Sequence, residues 1–124
     1  MYPLIYLSLG SNLGDRKSNL EVALDQLETR DSAIQKQSSF YETEPVEWIN
    51  QPYFLNLVCQ IKSKLNPQAL LKLCQKIERQ MGRIHQQPKG RRSIDIDILF
   101  YGQLVIQLPI FKIPHPALHQ RNFV

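Results

Sequence analysis

An α+β sandwich built on an antiparallel sheet is what this sequence predicts, and three observations carry the prediction. Apolar alternation marks the strands, leucines at helical spacing mark two helices, and the elements run strand, helix, strand, strand, helix, strand. That order is the split βαβ pattern of a ferredoxin-like βαββαβ sandwich, with both helices on one face of the sheet and long loops between elements.

In chain order, Tyr2 to Leu9 is expected as the first strand, closed by the turn-rich Gly10-Ser11-Asn12-Leu13-Gly14. Leu20, Ala23, Leu24 and Leu27 recur at helical spacing, with Asp15 or Ser18 available as cap and an end near Arg30 and Asp31. Ile34 to Tyr41 reads as a strand. Glu42 to Pro52 holds two prolines, three acids and Trp48 without any period, so it reads as a long loop. Tyr53 to Ile61 is a strand with apolar residues at every odd position, which puts Phe54 and Asn56 together on its other face. Asn66-Pro67 opens the second helix, and Leu70, Cys74, Ile77 and Met81 form its buried stripe up to Gly82. Arg79 and Arg83 lie four apart and can point the same way. Arg83 to Arg92 is a polar loop, Ile94 to Tyr101 a strand, and Leu104 to Ile106 a short one. The tail IPHPALHQRNFV carries a Pro-His-Pro that suits neither helix nor central strand.

With 124 residues, 43% of them hydrophobic, the chain has material for one core, so residues 1–124 are expected to form a single domain. Apolar runs such as Leu55 to Cys59 are too short to cross a membrane, and MYPLIYLSLG lacks the charged start of a signal peptide. A cytoplasmic protein with no membrane partner is the expectation, and nothing in the residues demands more than a monomer. Cys59 and Cys74 sit among apolar neighbours without metal-ligand spacing, which points to buried thiols. Net charge is +4, unevenly spread: Lys72 to Arg92 holds seven basic residues against Glu78 alone. A basic side of this kind suits a phosphate-bearing partner, and a solvated helix face plus loop explains the charge equally well.

The stretch SIDIDILFYG, directly after Gly90-Arg91-Arg92, holds the most informative chemistry. Asp95 and Asp97 share one strand face with Cα atoms roughly 6–7 Å apart. Aspartate is disfavoured in strands, and two carboxylates at this spacing either suit Mg²⁺ completed by water and phosphate oxygens or form the solvated polar face of an amphipathic strand. Arg91, Arg92, Arg79 and Arg83 bring guanidinium forks that bind phosphates bidentately, or that pair with carboxylates at the surface. Gly10 to Gly14 matches neither a Rossmann nor a Walker phosphate loop. His115, held between prolines, either donates to a phosphate or caps local structure, whereas His85 and His119 read as surface residues. Phe54, Asn56 and Phe123 form either an aromatic slot with an amide at its edge or a packed aromatic cluster.

LSLGSNLGDR, SSFYETEPV, QPYFLNLV, IERQMGR, GRRSIDIDILFYG and IPHPALHQRNFV, in this order and approximate spacing, resemble the 6-hydroxymethyl-7,8-dihydropterin pyrophosphokinases over the whole chain. The resemblance implies transfer of pyrophosphate from ATP to the hydroxymethyl oxygen of the pterin, with AMP released, in folate biosynthesis. It implies two Mg²⁺ ions held by Asp95 and Asp97, and catalytic roles for those residues with Arg83 and Arg92. Arg83, Arg92, His115 and Arg121 then lie on the ATP side, with Gln75, Glu78 and Ile98 in the nucleotide pocket. Thr43 and Asn56 meet the pterin edge, Phe54 and Phe123 its two faces, and Pro45, Val46 and Gly10 complete its pocket. Phe54 stands where many relatives carry tyrosine. The loop Ile84 to Lys89 is shorter than in some relatives, and Lys89 replaces an aromatic in others; this loop covers the substrates in the family. Relatives also continue past the position of Val124 with a further C-terminal segment.

A nucleic-acid-binding module of the same fold class is the alternative from another class, supported by the basic window and the sheet aromatics. Asp95 and Asp97 argue against it, because they would repel a phosphate backbone on the strand that should offer stacking aromatics. The small molecules ATP and pterin are therefore the expected partners, with no nucleic acid. A third reading is a catalytically silent homologue that binds ATP weakly.

Overall fold

The computed structural model describes residues 2–44, 52–82 and 93–102, together with the strands at 106–108 and 111–113. Within it the chain runs β1 (Ile5–Ser11), α1 (Arg16–Leu27), β2 (Ser32–Gln37), β3 (Tyr41–Thr43), β4 (Phe54–Ser63), α2 (Pro67–Gln80), β5 (Asp95–Tyr101), β6 (Ile106–Leu108) and β7 (Phe111–Ile113). Five strands form one antiparallel sheet in the order β2-β4-β1-β5, with β3 also paired to β4; β6 and β7 pair separately as a hairpin. The fold is α+β, as the sequence predicts.

Local chemistry explains the helices. Asp15 accepts a hydrogen bond from the Ser18 amide and caps α1, and Asn66 does the same for the Ala69 amide ahead of Pro67 at the start of α2. Leu20, Ala23 and Leu27 of α1 and Leu70, Cys74 and Ile77 of α2 enter one core with Ile5, Leu7, Leu9, Leu57, Cys59 and Ile61 of the sheet. Alternation along β1 and β4 thus turns one sheet face toward both helices and leaves Ser8, Gly10, Phe54 and Asn56 on the other. Both thiols are buried in that core, as expected. Burial pushes the Cys59 thiol up to about 12, and Cys74 is raised by burial and then by the nearby Glu78 carboxylate.

Several element boundaries differ from the sequence expectation. β1 does not stop at Leu9: Gly10 and Ser11 remain in the ladder, paired to Asn56 and Leu55, so Gly10 is a strand residue and the turn starts later. The strand expected over Ile34 to Tyr41 is two short strands on one edge of β4, joined through Ser38, whose amide donates to the Val58 carbonyl and whose hydroxyl accepts from the Val58 amide. Glu42 and Thr43, expected in a loop, belong to β3 because the edge of β4 offers them partners at Leu55 and Phe54. Of the short strand expected over Leu104 to Ile106, Ile106 opens β6 of the β6–β7 hairpin, and Leu104 and Val105 lie outside the described residues.

Candidate active site

The site is built on one row of the sheet. Tyr41 of β3 pairs with Asn56 of β4, Asn56 with Gly10 of β1, and Gly10 with Asp95 of β5. Neighbouring strands are about 4.8 Å apart, so Asn56 and Asp95 stand roughly 10 Å apart on either side of a residue with no side chain. One pair further along, Ser8 lies opposite Asp97. All of these residues share the face that the helices leave uncovered.

Close approach over Gly10 decides what can stand there. A Cβ at this position would lie 2.7 Å from Asn56 Oδ1 and 3.2 Å from Phe54 Cδ1. The missing side chain is what lets the Asn56 amide and the Phe54 ring lean over β1. Asn56 is 5% exposed, and its amide nitrogen donates to Thr43 Oγ1 at 2.8 Å, which fixes which way the amide points. Thr43, Phe54, Asn56 and Gly10 are therefore brought together, as a half-buried ring beside an oriented amide.

Asp95 and Asp97 are partly exposed, and Ile94, Ile96 and Ile98 between and beside them are buried. Two carboxylates on one face are a hard-oxygen donor set of the kind Mg²⁺ takes. Among the described residues no three His, Cys, Asp or Glu side chains converge.

The residues expected around the nucleotide fall into distinct settings. Gln75 is exposed on α2, one turn before Arg79 on the same face. Glu78 is only 5% exposed and accepts a hydrogen bond from the Ile96 amide at 2.9 Å, between the two aspartates on β5. Among the described residues β5 ends the sheet, and Glu78 reaches the side of it away from β1. Ile98 has its side chain in the core at 4% exposure. By alternation its backbone N–H and C=O point to the same side of β5 as those of Ile96, away from β1. Arg83, Arg92, Pro45, Val46, His115, Arg121 and Phe123 lie outside the described residues.

Sequence reasoning passed over the corner between β1 and α1. Asn12, 1% exposed, donates to the Pro52 carbonyl at 3.2 Å, and Arg16 donates to the Tyr53 carbonyl at 3.0 Å and pairs with Glu42 at 2.8 Å. The signal was present in the motifs LSLGSNLGDR and SSFYETEPV, which hold Arg16 and Glu42.

An antiparallel α+β domain that sets an aromatic and amide slot beside a paired-carboxylate strand has the layout of a small-molecule transferase site. The chain belongs to the 7,8-dihydro-6-hydroxymethylpterin-pyrophosphokinase family, whose family model matches residues 6–124. It is 46% identical over 125 residues to the 2-amino-4-hydroxy-6-hydroxymethyldihydropteridine pyrophosphokinase of Porphyromonas gingivalis, covering 98% of this chain and 85% of that one. The enzyme of the same name from Aquifex aeolicus is 44% identical over 119 residues, covering 96% of this chain and 74% of its own. The Folic acid synthesis protein fol1 of Schizosaccharomyces pombe is 43% identical over 122 residues, of which this chain spans only 17% of the length. The corresponding protein of Pneumocystis carinii is likewise matched over 16% of its length. No helix among the described residues is long and apolar enough to cross a membrane.

Proposed function

We propose that this protein transfers the pyrophosphoryl group of ATP to 6-hydroxymethyl-7,8-dihydropterin, giving the pterin diphosphate and AMP, a step of folate biosynthesis. The observation that carries the reading is the row Asn56–Gly10–Asp95, which sets a slot for a flat heterocycle next to carboxylates suited to a metal-bound polyphosphate. Family membership and the names of the relatives support it.

In this reading Asn56 and Thr43 hydrogen-bond the pterin edge, and Phe54 stacks on one face, with Phe123, Pro45 and Val46 completing the pocket. Asp95 and Asp97 hold Mg²⁺, two ions in all, which would neutralise charge on the triphosphate and on the leaving AMP. Arg83, Arg92, His115 and Arg121 bind phosphates, while Gln75 and the Ile98 main chain approach the nucleoside. The hydroxymethyl oxygen bonds to the β-phosphorus as the bond from that phosphorus to the α-bridging oxygen breaks. AMP leaves with that oxygen, and the hydroxyl proton goes to solvent. The chain's own contribution is alignment: the slot aims the hydroxyl, and the guanidiniums fix the phosphates. The sheet order and the two helices on one face also support the ferredoxin-like sandwich, and the chain acts as a cytoplasmic monomer on small molecules without nucleic acid.

The test is AMP formation from ATP and Mg²⁺ with and without 6-hydroxymethyl-7,8-dihydropterin, with Asp95→Ala as control. AMP release that requires the pterin and is lost in the variant is expected. A folded protein that binds both substrates and releases no AMP would overturn the activity. Tight RNA binding without nucleotide binding would favour the nucleic-acid module.

A further inference from the structure

Arg16 occupies the first position of α1, where a cation meets the positive end of the helix dipole and is locally unfavourable. Its partners lie elsewhere. One guanidinium nitrogen donates to the Tyr53 carbonyl at 3.0 Å, just before β4, and the other pairs with Glu42 of β3 at 2.8 Å. Asn12, four residues earlier, is buried and donates to the Pro52 carbonyl at 3.2 Å. The corner between β1 and α1 thus holds both flanks of the segment that joins β3 to β4. On the far flank, Tyr53 donates its hydroxyl to Glu44 at 3.2 Å, a second tie between the same two flanks.

Alternation fixes what this clamp can reach. Glu42 pairs with Leu55, whereas Thr43 and Tyr41 pair with Phe54 and Asn56, so Glu42 projects from the opposite face to the slot. Arg16 grips β3 from behind and cannot touch a ligand lying on Asn56 and Gly10. β3 is only three residues long, and among the described residues its one sheet neighbour is β4. A strand this short at an edge has little to hold it in register without a tether.

We infer that Arg16, with Asn12, is a positioning residue for pterin binding: it holds β3 against β4 so that Thr43 stands where the Asn56 amide and the ligand edge need it. This rests on the pterin reading of Thr43, Phe54 and Asn56 given above. A protein in which β3 is docked only part of the time binds pterin more weakly by that fraction, while a nucleotide held by α2 and β5 is unaffected.

The experiment has two readouts on the full chain. Amide hydrogen exchange in the ligand-free protein reads the clamp, and fluorescence titration reads pterin and, separately, ATP. Arg16→Ala is expected to speed exchange at Tyr41 to Thr43 and weaken pterin binding, each about threefold, as when loss of one charge-assisted pair at a partly exposed site shifts the docking equilibrium about tenfold and carries β3 from mostly docked to mostly undocked. Exchange in the β1–β5 ladder and ATP affinity are expected to stay within about twofold, since one local contact perturbs distant sites little. Arg16→Lys restores only part of the effect, because an ammonium reaches Glu42 without the planar fork that also serves Tyr53. Unchanged exchange at β3 overturns the clamp. Faster exchange with unchanged pterin affinity, or parallel loss of ATP and pterin affinity with a lower Tm, overturns the positioning role. If the unaltered protein binds no pterin, the functional reading fails while the exchange data still judge the clamp.

Discussion

Gly10→Ala tests the slot most directly, because its cost can be worked from contacts. The new Cβ would sit 2.7 Å from Asn56 Oδ1, a distance at which something must move, and 3.2 Å from the Phe54 ring. Gly10 is not among the positive-φ glycines, so backbone strain adds nothing and the whole effect is steric. Relief requires turning the Asn56 amide, which breaks its 2.8 Å bond to Thr43. That bond is worth ~0.5–1.5 kcal/mol and local overpacking costs ~1–3 kcal/mol, against a gain of ~0.5–1 kcal/mol from replacing glycine in a strand. The net loss is roughly 2 kcal/mol, about 6–10 °C in Tm for a domain of this size. Pterin affinity should fall at least ~10-fold, since a displaced amide and ring lose more than ~1.4 kcal/mol of binding. Denaturant melts and pterin titrations measure both. A double-mutant cycle with Asn56→Ala isolates the cause: if the amide is what Gly10 accommodates, the two changes are strongly non-additive. Strict additivity, or unchanged pterin affinity in Gly10→Ala, would refute the argument.

Three further outcomes follow from the same geometry. Asp95→Asn and Asp97→Asn should each lower kcat by at least ~100-fold, as loss of a metal-holding carboxylate does, with pterin affinity within about threefold; steady-state kinetics beside titration reads the split. Glu78→Gln keeps an acceptor for the Ile96 amide and should leave Tm nearly unchanged, while Glu78→Ala should cost ~1–3 kcal/mol by denaturant melt. Cys59 and Cys74 should resist a thiol reagent at pH 8 in the folded protein and both react once it is unfolded. Because the Cys59 thiol is raised from 9.0 to about 12, its folded form keeps a proton that the unfolded chain releases. Below pH 9 this contribution should be steady, and above it stability should fall, Cys59 accounting for roughly 1 kcal/mol per pH unit and Cys74, raised in the same direction by burial, adding to it, so pH-dependent melts should show the slope reduced but not abolished in Cys59→Ala.

The sequence carried the parts of this fold that depend on local pattern. Asp15 and Asn66-Pro67 announced both helices, and the odd positions of β4 announced its buried face. What it hid depended on partners far along the chain. Gly10 looks like a turn residue by propensity, and only Asn56 and Asp95 on either side make it a strand residue. Glu42 and Thr43 look like loop because a three-residue strand leaves no period to detect, and the edge of β4 supplies their structure. The pairing of Arg16 with Glu42 spans 26 residues, a separation at which charge pattern says nothing. Asp95 and Asp97 stood out from the residues themselves because aspartate in a strand breaks a rule, whereas Glu78, in an ordinary place on an amphipathic helix, was singled out only through the family resemblance.

The run from Asp95 to Tyr101 also shows how one strand serves site and core together. Strict alternation would place Asp95, Asp97, Leu99 and Tyr101 on one face, stranding a leucine and a tyrosine beside the carboxylates. The ladder avoids this. Leu7 pairs with Ile98 but Tyr6 pairs with Phe100, so Leu99 is an extra residue and the faces exchange there. Tyr101 is thereby turned into the core, where it donates to the Leu65 carbonyl, and Phe100 moves to the outer face, where it meets Tyr6 edge to face. Removing Leu99 would restore simple alternation and force a choice: keep Asp95 and Asp97 outside and lose Tyr101 from the core, or keep Tyr101 and bury two carboxylates. Burying two carboxylates is far the costlier choice, so the shortened strand should keep its aspartates in place and lose stability at the Tyr101 end. The bulge lies two residues beyond Asp97, close enough to separate the two demands and far enough to leave the Gly10–Asp95 and Ser8–Asp97 pairs in regular register.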